Sequence, residues 1–130
     1  MTEPILKVEG ISKGFPGVQA LSDVHLSVSA GEVLVLVGEN GAGKSSLMKI
    51  LSGIYTKDAG HIYFNGAEVD ITSPLHAQQL GVTIIHQEMN LMSDLTVAQN
   101  IYIGREPRNG IFLSATKLTA QTTELLQRLE

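Results

Sequence analysis

The residues best placed to do chemistry form one stretch, residues 38–45, with the sequence Gly-Glu-Asn-Gly-Ala-Gly-Lys-Ser. It matches a phosphate-loop pattern, in which a glycine-rich loop precedes a lysine and a hydroxyl residue. Gly38, Gly41 and Gly43 can adopt conformations that other residues resist, and they leave room for a phosphate group. The loop N–H groups can then converge on that phosphate, helped by the positive end of a following helix. The stretch therefore predicts a nucleotide phosphate site.

Two side chains of this stretch have distinct predicted roles. Lys44 would reach the β- and γ-phosphates, and the Ser45 hydroxyl would bind Mg²⁺. The predicted nucleotide-binding set also includes the loop residues Glu39, Asn40, Ala42 and Ser46. The alternative is a glycine turn before an ordinary helix, and four fixed residues match by chance in about one chain of this size in a hundred.

The flanking segments make a chance match rarer. Residues 32–37 form an apolar, β-branched run that predicts a buried strand. Residues 46–52 favour a helix, and Gly53 is suited to end it. Strand, glycine loop and helix follow one another in the order that the phosphate-loop pattern needs.

Composition narrows the class of protein. The 130 residues suffice for one ordinary domain, and their net charge of −4 offers no basic surface for nucleic acid. The sequence has no cysteine, which excludes disulfides and thiolate metal sites. No stretch approaches the roughly 20 apolar residues that cross a bilayer, and the start shows no signal peptide. If the protein works at a membrane, we expect something else to anchor it.

The segments around the loop predict a mixed α/β fold. Before it, residues 5–10 and 21–29 alternate and predict an antiparallel sheet, with turn chemistry over residues 12–17. Small GTPases and nucleotide kinases usually place the loop right after their first strand, whereas 37 residues precede it here. The sequence also lacks the D-x-x-G and N-K-x-D motifs of a GTPase.

Further elements are predicted after the loop and its helix. The first are a strand at 61–64 with a hairpin at Asn65-Gly66, a helix opened by Ser73-Pro74 and ended by Gly81, and a buried strand at 82–86. A capping box at Thr96–Gln99 and a flexible link at 105–110 follow. The last is a helix from Ser114, with an apolar stripe at Leu118, Leu125, Leu126 and Leu129. The four histidines lack metal-ligand spacing and are interpreted as structural or surface residues.

With these motifs in place, the chain resembles the ATP-binding subunits of ABC transporters along essentially its whole length. The resemblance rests on residues 38–46, 51–55, 58–60, 65–66 and 84–88. Residues 15–21, 85–91 and 100–106 are similar, more narrowly, to monosaccharide importers of the ribose, galactose and xylose type. In that group, one polypeptide usually carries two ATPase cassettes in tandem.

The resemblance implies roles for three residues outside the loop. Phe15 would stack on the adenine base, and Val18 would pack near the ribose. Gln87 would bind Mg²⁺ or the attacking water and act with Lys44 in catalysis, while it links the core to a helical subdomain. Each role has a purely structural alternative. Phe15 could be an aromatic turn residue that caps the core of the small sheet, and Gln87 could be an ordinary polar residue at the end of a strand. Glu32, Glu39 and Glu88 do not stand where the family keeps its catalytic base.

The resemblance also implies a fold, a cofactor set and partners. We expect a partial P-loop nucleotide hydrolase fold of ABC type, with a nucleotide-binding core over residues 1–92 and the start of a helical subdomain over residues 93–130. ATP and Mg²⁺ are the implied cofactors. The implied partners are membrane permease subunits, a second ATPase cassette in the same chain or a homodimer, and indirectly a sugar-binding protein, with no nucleic acid. The implied location is peripheral, on the cytoplasmic face of a bacterial membrane.

Several family motifs lie outside this sequence. The signature motif, the Walker B strand and the switch histidine are not among the 130 residues. We therefore expect an N-terminal fragment of a longer ATPase, with little hydrolysis of its own. The alternatives are a non-transport ABC ATPase of DNA repair or translation, and a fragment that binds nucleotide weakly or not at all.

Overall fold

The computed structural model describes residues 3–41, 43–88 and 90–130, so the predicted loop residue Ala42 lies outside the described residues. Contacts divide the chain into one unit that ends at Ile85 and a second unit, His86–Glu130. The functional boundary predicted between residues 92 and 93 stays a prediction.

The first unit contains a four-stranded antiparallel sheet. Its strands are β1 (Leu6–Phe15), β2 (Val18–Val28), β3 (Ala59–Phe64) and β4 (Ala67–Val69), in the spatial order β2-β1-β3-β4. The predicted antiparallel arrangement before the loop is therefore confirmed. The turn predicted over residues 12–17 is wrong in extent, because β1 continues to Phe15 through register shifts that absorb its extra residues.

The hairpin between β3 and β4 follows directly from its two central residues. Asn65 and Gly66 have φ values of 50° and 79°, and Phe64 pairs with Ala67 across them. Asparagine and glycine tolerate positive φ better than other residues, and a two-residue turn of this kind matches the twist of the strands. The predicted hairpin is confirmed.

Two helices cover the sheet within this unit. The first, α1 (Lys44–Leu51), follows the glycine loop, and α2 (Pro74–Leu80) begins after Ser73, whose hydroxyl accepts the His76 N–H. Gly81 caps α2 with φ 93°, as predicted. The core combines one face of the sheet with the buried faces of both helices and consists of Val8, Ile11, Leu21, Leu47, Ile50, Leu51, Ile62, Ile71 and Ala77.

The buried strands predicted at 32–37 and 82–86 are wrong. Neither segment pairs with a neighbouring strand, and Val33, Val35 and Val37 are 89%, 72% and 92% exposed. Leu34 and Leu36 are less exposed and line a cavity of about 490 Å³ against α1 and the sheet. An apolar run becomes a strand only when neighbours complete its hydrogen-bond ladder, and the four strands of this sheet do not include either segment.

The second unit contains short elements with strong local signals. Thr96 and Gln99 form the predicted capping box at the start of α3 (Val97–Ile101). The link predicted at 105–110 is partly ordered, because β5 (Arg108–Asn109) pairs with β6 (Phe112–Leu113). Helix α4 (Ala115–Gln127) follows the N-cap Ser114.

The apolar stripe predicted on α4 is only partly correct. Leu118 and Leu125 are half-buried, whereas Leu126 and Leu129 are exposed. Thr122 is buried between the first two, and its hydroxyl donates to the Leu118 carbonyl at 2.7 Å. A threonine can replace an apolar residue on this face because the helix backbone satisfies its hydroxyl. In the part of the chain that the structure describes, no helix is both long and apolar enough to span a bilayer.

The glycines that end the two helices of the first unit should differ sharply in their tolerance of a side chain. Gly53 has φ +79°, and a Cβ atom there would lie 2.2 Å from the Ser73 carbonyl oxygen. Gly81 has φ +93°, but a Cβ atom there meets nothing within 4 Å. We expect Gly81→Ala to lower the free energy of unfolding by about 1 kcal/mol, and Gly53→Ala by roughly 3 kcal/mol or more. Urea unfolding measures both values, and equal losses would contradict the steric argument.

Candidate functional site

The glycine loop leads directly into the first turn of α1. Gly41 and Gly43 have φ values of 88° and 91°, in the left-handed region that favours glycine. Gly43 is the N-cap of α1 and makes no side-chain capping bond. The first N–H groups of a helix have no partner within the helix, so this end of α1 suits an anion.

Gly43 also packs closely against strand β2. A Cβ atom at this position would lie 2.5 Å from the Ala20 carbonyl oxygen and 2.7 Å from the Leu21 side chain. Only glycine fits this contact without a shift of the backbone. The contact brings β2 against the loop, and Ala20 thereby becomes part of the site. Ala20 is not among the predicted site residues, and its residue type carries no signal that would have singled it out.

The Lys44 side chain folds back over the loop. Its ammonium group donates to the Gly38 carbonyl and, at 2.9 Å, to the Glu39 carbonyl. These bonds hold a positive charge beside the loop N–H groups. An ammonium held by neutral carbonyls can exchange them for a charged phosphate oxygen, because hydrogen bonds between ionised partners are stronger.

A cavity of about 280 Å³ opens at this end of α1. It is lined by the loop, the start of α1 and the end of the β1–β2 hairpin, namely Phe15, Val18, Ala20, Asn40, Gly41, Gly43, Lys44, Ser45 and Ser46. The structure therefore brings together most of the residues predicted to bind nucleotide, with Gly38 and Glu39 beneath Lys44. Their individual roles stay predictions. A larger cavity in this unit is also lined by Lys44, and its other lining residues are mostly aliphatic.

Phe15 presents an aromatic ring to this cavity and remains 37% exposed. Its ring centroid lies 5.2 Å from that of Tyr55, with the two planes at 66°. The Lys13 ammonium lies 5.4 Å from the Phe15 centroid. An exposed ring supported by an aromatic neighbour and a cation can stack on a planar base.

Asp58 connects the strand end before Phe15 to the turn after α1. Its carboxylate accepts the Gly14 N–H at 2.7 Å and a bond from the Lys13 ammonium at 3.3 Å. The backbone bond from Gly14, followed by the bond from Lys13, holds the pKa of the Asp58 carboxyl below its ordinary value.

Gln87 lies in the second unit, on an exposed bend. Its predicted catalytic and metal-binding roles stay predictions. Among the described residues, no group of three or more histidine, aspartate or glutamate side chains could hold a metal ion. A hydroxyl oxygen is a ligand that Mg²⁺ accepts when phosphates and waters complete its shell. The exposed Ser45 at the start of α1 fits that requirement.

The chain belongs to the ABC transporter family, whose model matches residues 21–130. It is 55% identical over 130 residues to the putative ribose/galactose/methyl galactoside import ATP-binding protein 2 of Burkholderia cenocepacia (strain HI2424), covering 98% of this chain and 25% of that protein. It is 54% identical to the corresponding putative protein of Albidiferax ferrireducens, with 96% and 25% covered. The chain thus spans about a quarter of the length of these relatives.

Solved structures agree with this assignment. An ATP-binding cassette of an ABC transporter in its ADP conformation is similar with a TM-score of 0.70 and 33% identity, covering 79% of this chain and 41% of that one. A nucleotide-free cassette has a TM-score of 0.72 at 29% identity, with 89% and 45% covered. The predicted family and the predicted partial P-loop fold of ABC type are confirmed.

The charge of Asp58 should contribute to stability in a pH-dependent manner. Because the folded-state pKa is lowered, the contribution is complete above the unfolded pKa and is lost as the pH falls through the folded one. We therefore expect Asp58→Asn, which keeps the shape without the charge, to be less stable than wild type between about pH 5 and 7. The difference should shrink below about pH 4. Urea midpoints across this range measure it, and an equal difference at pH 3 and pH 7 would argue against the charge.

Proposed function

We propose that this chain is the ATP-binding part of an importer that couples ATP binding and hydrolysis to the import of a sugar. The observation that carries the proposal is the single cavity that joins the glycine loop, the start of α1 and the exposed ring of Phe15. A base stacked on this ring would leave its phosphates to the loop. The names of the relatives support a sugar as substrate, and they favour import over DNA repair or translation.

Different residues of the cavity would contact different parts of ATP. Lys44 would exchange the loop carbonyls for the β- and γ-phosphates, and the loop amides from Gly38 to Ser46 would surround the phosphate chain. Val18 would pack near the ribose. Ser45 would hold Mg²⁺, which neutralises phosphate charge when bound. Gln87 would bind the same ion or orient the attacking water, and would link the site to the helical subdomain.

The proposed assembly places this chain at a membrane without crossing it. The partners are permease subunits, a second ATPase cassette in the same chain or in a homodimer, and indirectly a sugar-binding protein. The proposed location is the cytoplasmic face of a bacterial membrane. This chain covers about a quarter of the relative's length. In the proposed longer protein, further strands would pair with residues 33–37 and cover the valines that are exposed here.

Lys44→Ala should abolish transport by the full-length protein. The change removes the cation that balances the phosphates, so we expect uptake to fall by at least about tenfold. Uptake of labelled ribose, galactose and methyl galactoside by cells without their own importers measures the effect. Lys57→Ala is the matched control, since Lys57 pairs with Asp70 at 3.6 Å outside the cavity and should leave uptake unchanged. Normal uptake by Lys44→Ala would contradict the proposed function.

Gln87→Ala should separate binding from transport. In the proposed role, Gln87 binds Mg²⁺ or orients the attacking water and links the nucleotide site to the helical subdomain. Its loss should therefore change the Mg-ATP affinity by less than about twofold, while uptake falls at least about tenfold. Equilibrium binding and uptake, measured on the same full-length variant, give the two values. Gln79→Ala on the exposed face of α2 is the control. Full uptake by Gln87→Ala would remove Gln87 from the mechanism.

A further inference from the structure

The Phe15 ring stands at the end of a hairpin, where a backbone is least constrained. Phe15 pairs with Val18 across the two-residue turn Pro16-Gly17, and the pairing of β1 with β2 shifts register twice between Ile11 and Gly14. A hairpin end with irregular pairing opens at low cost. A ring that stacks on a ligand nevertheless needs a fixed position, because freedom lost on binding weakens affinity.

Three hydrogen bonds tie the strand before Phe15 to one residue. The Asp58 carboxylate accepts the Gly14 N–H at 2.7 Å and a bond from the Lys13 ammonium at 3.3 Å, and the Asp58 N–H donates to the Ser12 carbonyl at 2.9 Å. The three consecutive residues that lead to Phe15 are thus held by Asp58. The Lys13 side chain is 14% exposed, so its bond is partly shielded from water and its ammonium is kept beside the ring.

The Phe15 ring itself is supported by Tyr55. The two rings meet edge to face at 5.2 Å, which is the arrangement that their quadrupoles favour. Tyr55 is fixed in turn by α1, since its N–H donates to the Lys49 carbonyl at 3.1 Å and the Lys49 ammonium lies 5.2 Å from its ring centroid. The support of the ring therefore begins at the C-terminal end of the helix whose N-terminal end carries Lys44.

We propose that Asp58 and Tyr55 are positioning residues for the base of the bound nucleotide, and that they act by holding Phe15 on the wall of the loop cavity. The inference rests on the proposed function, because it requires a nucleotide in that cavity. In this proposal, the two parts of the nucleotide depend on different residues. The phosphates depend on the loop and Lys44, whereas the base depends on Phe15 and on the two residues behind it.

A tryptophan at position 15 provides a local reporter, because the 130 residues contain no other, and the full-length protein with Phe15 unchanged gives the background fluorescence to subtract. Phe15→Trp in the full-length protein keeps an aromatic face, and its fluorescence change on ligand addition reports binding at this cavity. The two probes are Mg-ATP, which has a base and phosphates, and Mg-tripolyphosphate, which has phosphates alone. Circular dichroism of each variant confirms that it is folded.

In this background, Asp58→Ala should weaken Mg-ATP binding by roughly five- to tenfold and tripolyphosphate binding by less than twofold, since only the base loses its support. Tyr55→Leu, which keeps an apolar side chain but no ring, should show the same pattern. Asp58→Asn keeps an oxygen for the Gly14 N–H and should bind Mg-ATP more tightly than Asp58→Ala. The control Asp70→Ala removes an exposed acid that pairs with Lys57, and both probes should bind as before.

The outcomes distinguish this inference from the proposed function. If Lys44→Ala weakens neither probe, or if the parent binds neither, the proposed function fails and the inference falls with it. If the parent binds both probes and Lys44→Ala weakens both, the proposed function stands. The inference is then overturned alone by equal losses of ATP and tripolyphosphate in Asp58→Ala and Tyr55→Leu, or by no loss of either.

Discussion

The close approach of Gly43 to the Ala20 carbonyl is the constraint on which the site depends. It packs strand β2 against the glycine loop with no room for a Cβ atom, 2.5 Å from that oxygen. Because β2 is paired with β1 along most of its length, the contact also fixes where the β1–β2 hairpin ends. Phe15 and Val18 consequently reach the same cavity as Lys44 and Ser45. The sheet that precedes the loop in sequence is therefore part of the site.

The elements that were predicted correctly carry their signal within a few residues. The Asn65-Gly66 hairpin, the capping box of Thr96 and Gln99, and the glycine cap of α2 each depend on local backbone chemistry, and each is present. The helix predicted after the glycine loop belongs to the same group, since Gly43 stands at its N-cap. Local hydrogen bonds need no information from distant parts of a chain.

The wrong predictions concern features that depend on distant partners. The run 32–37 has the composition of a central strand, yet its alternate valines are exposed because the described strands pair elsewhere. The composition of a segment indicates that it could form a buried strand. Whether it forms one depends on neighbouring strands that can pair with it. The same limit hid Ala20 and Asp58, whose roles come from a contact across the fold. Thr122 on α4 shows the reverse case, in which a polar residue is buried because its own helix satisfies it.

Helix α1 connects the two halves of the proposed nucleotide site. Its first residue, Lys44, lies over the phosphate loop, and the backbone of Lys49 near its last turn holds Tyr55 against Phe15. Leu47, Ile50 and Leu51 bury the opposite face of the helix in the core, which keeps it from tilting. A packed helix is stiff along its axis, so the distance between the loop and the Phe15 ring is set before a ligand arrives. In the proposed site, a nucleotide would meet the loop and the ring at a separation that is already fixed. Only the Lys44 side chain would exchange its hydrogen-bond partners, so little affinity would be lost to ordering the site.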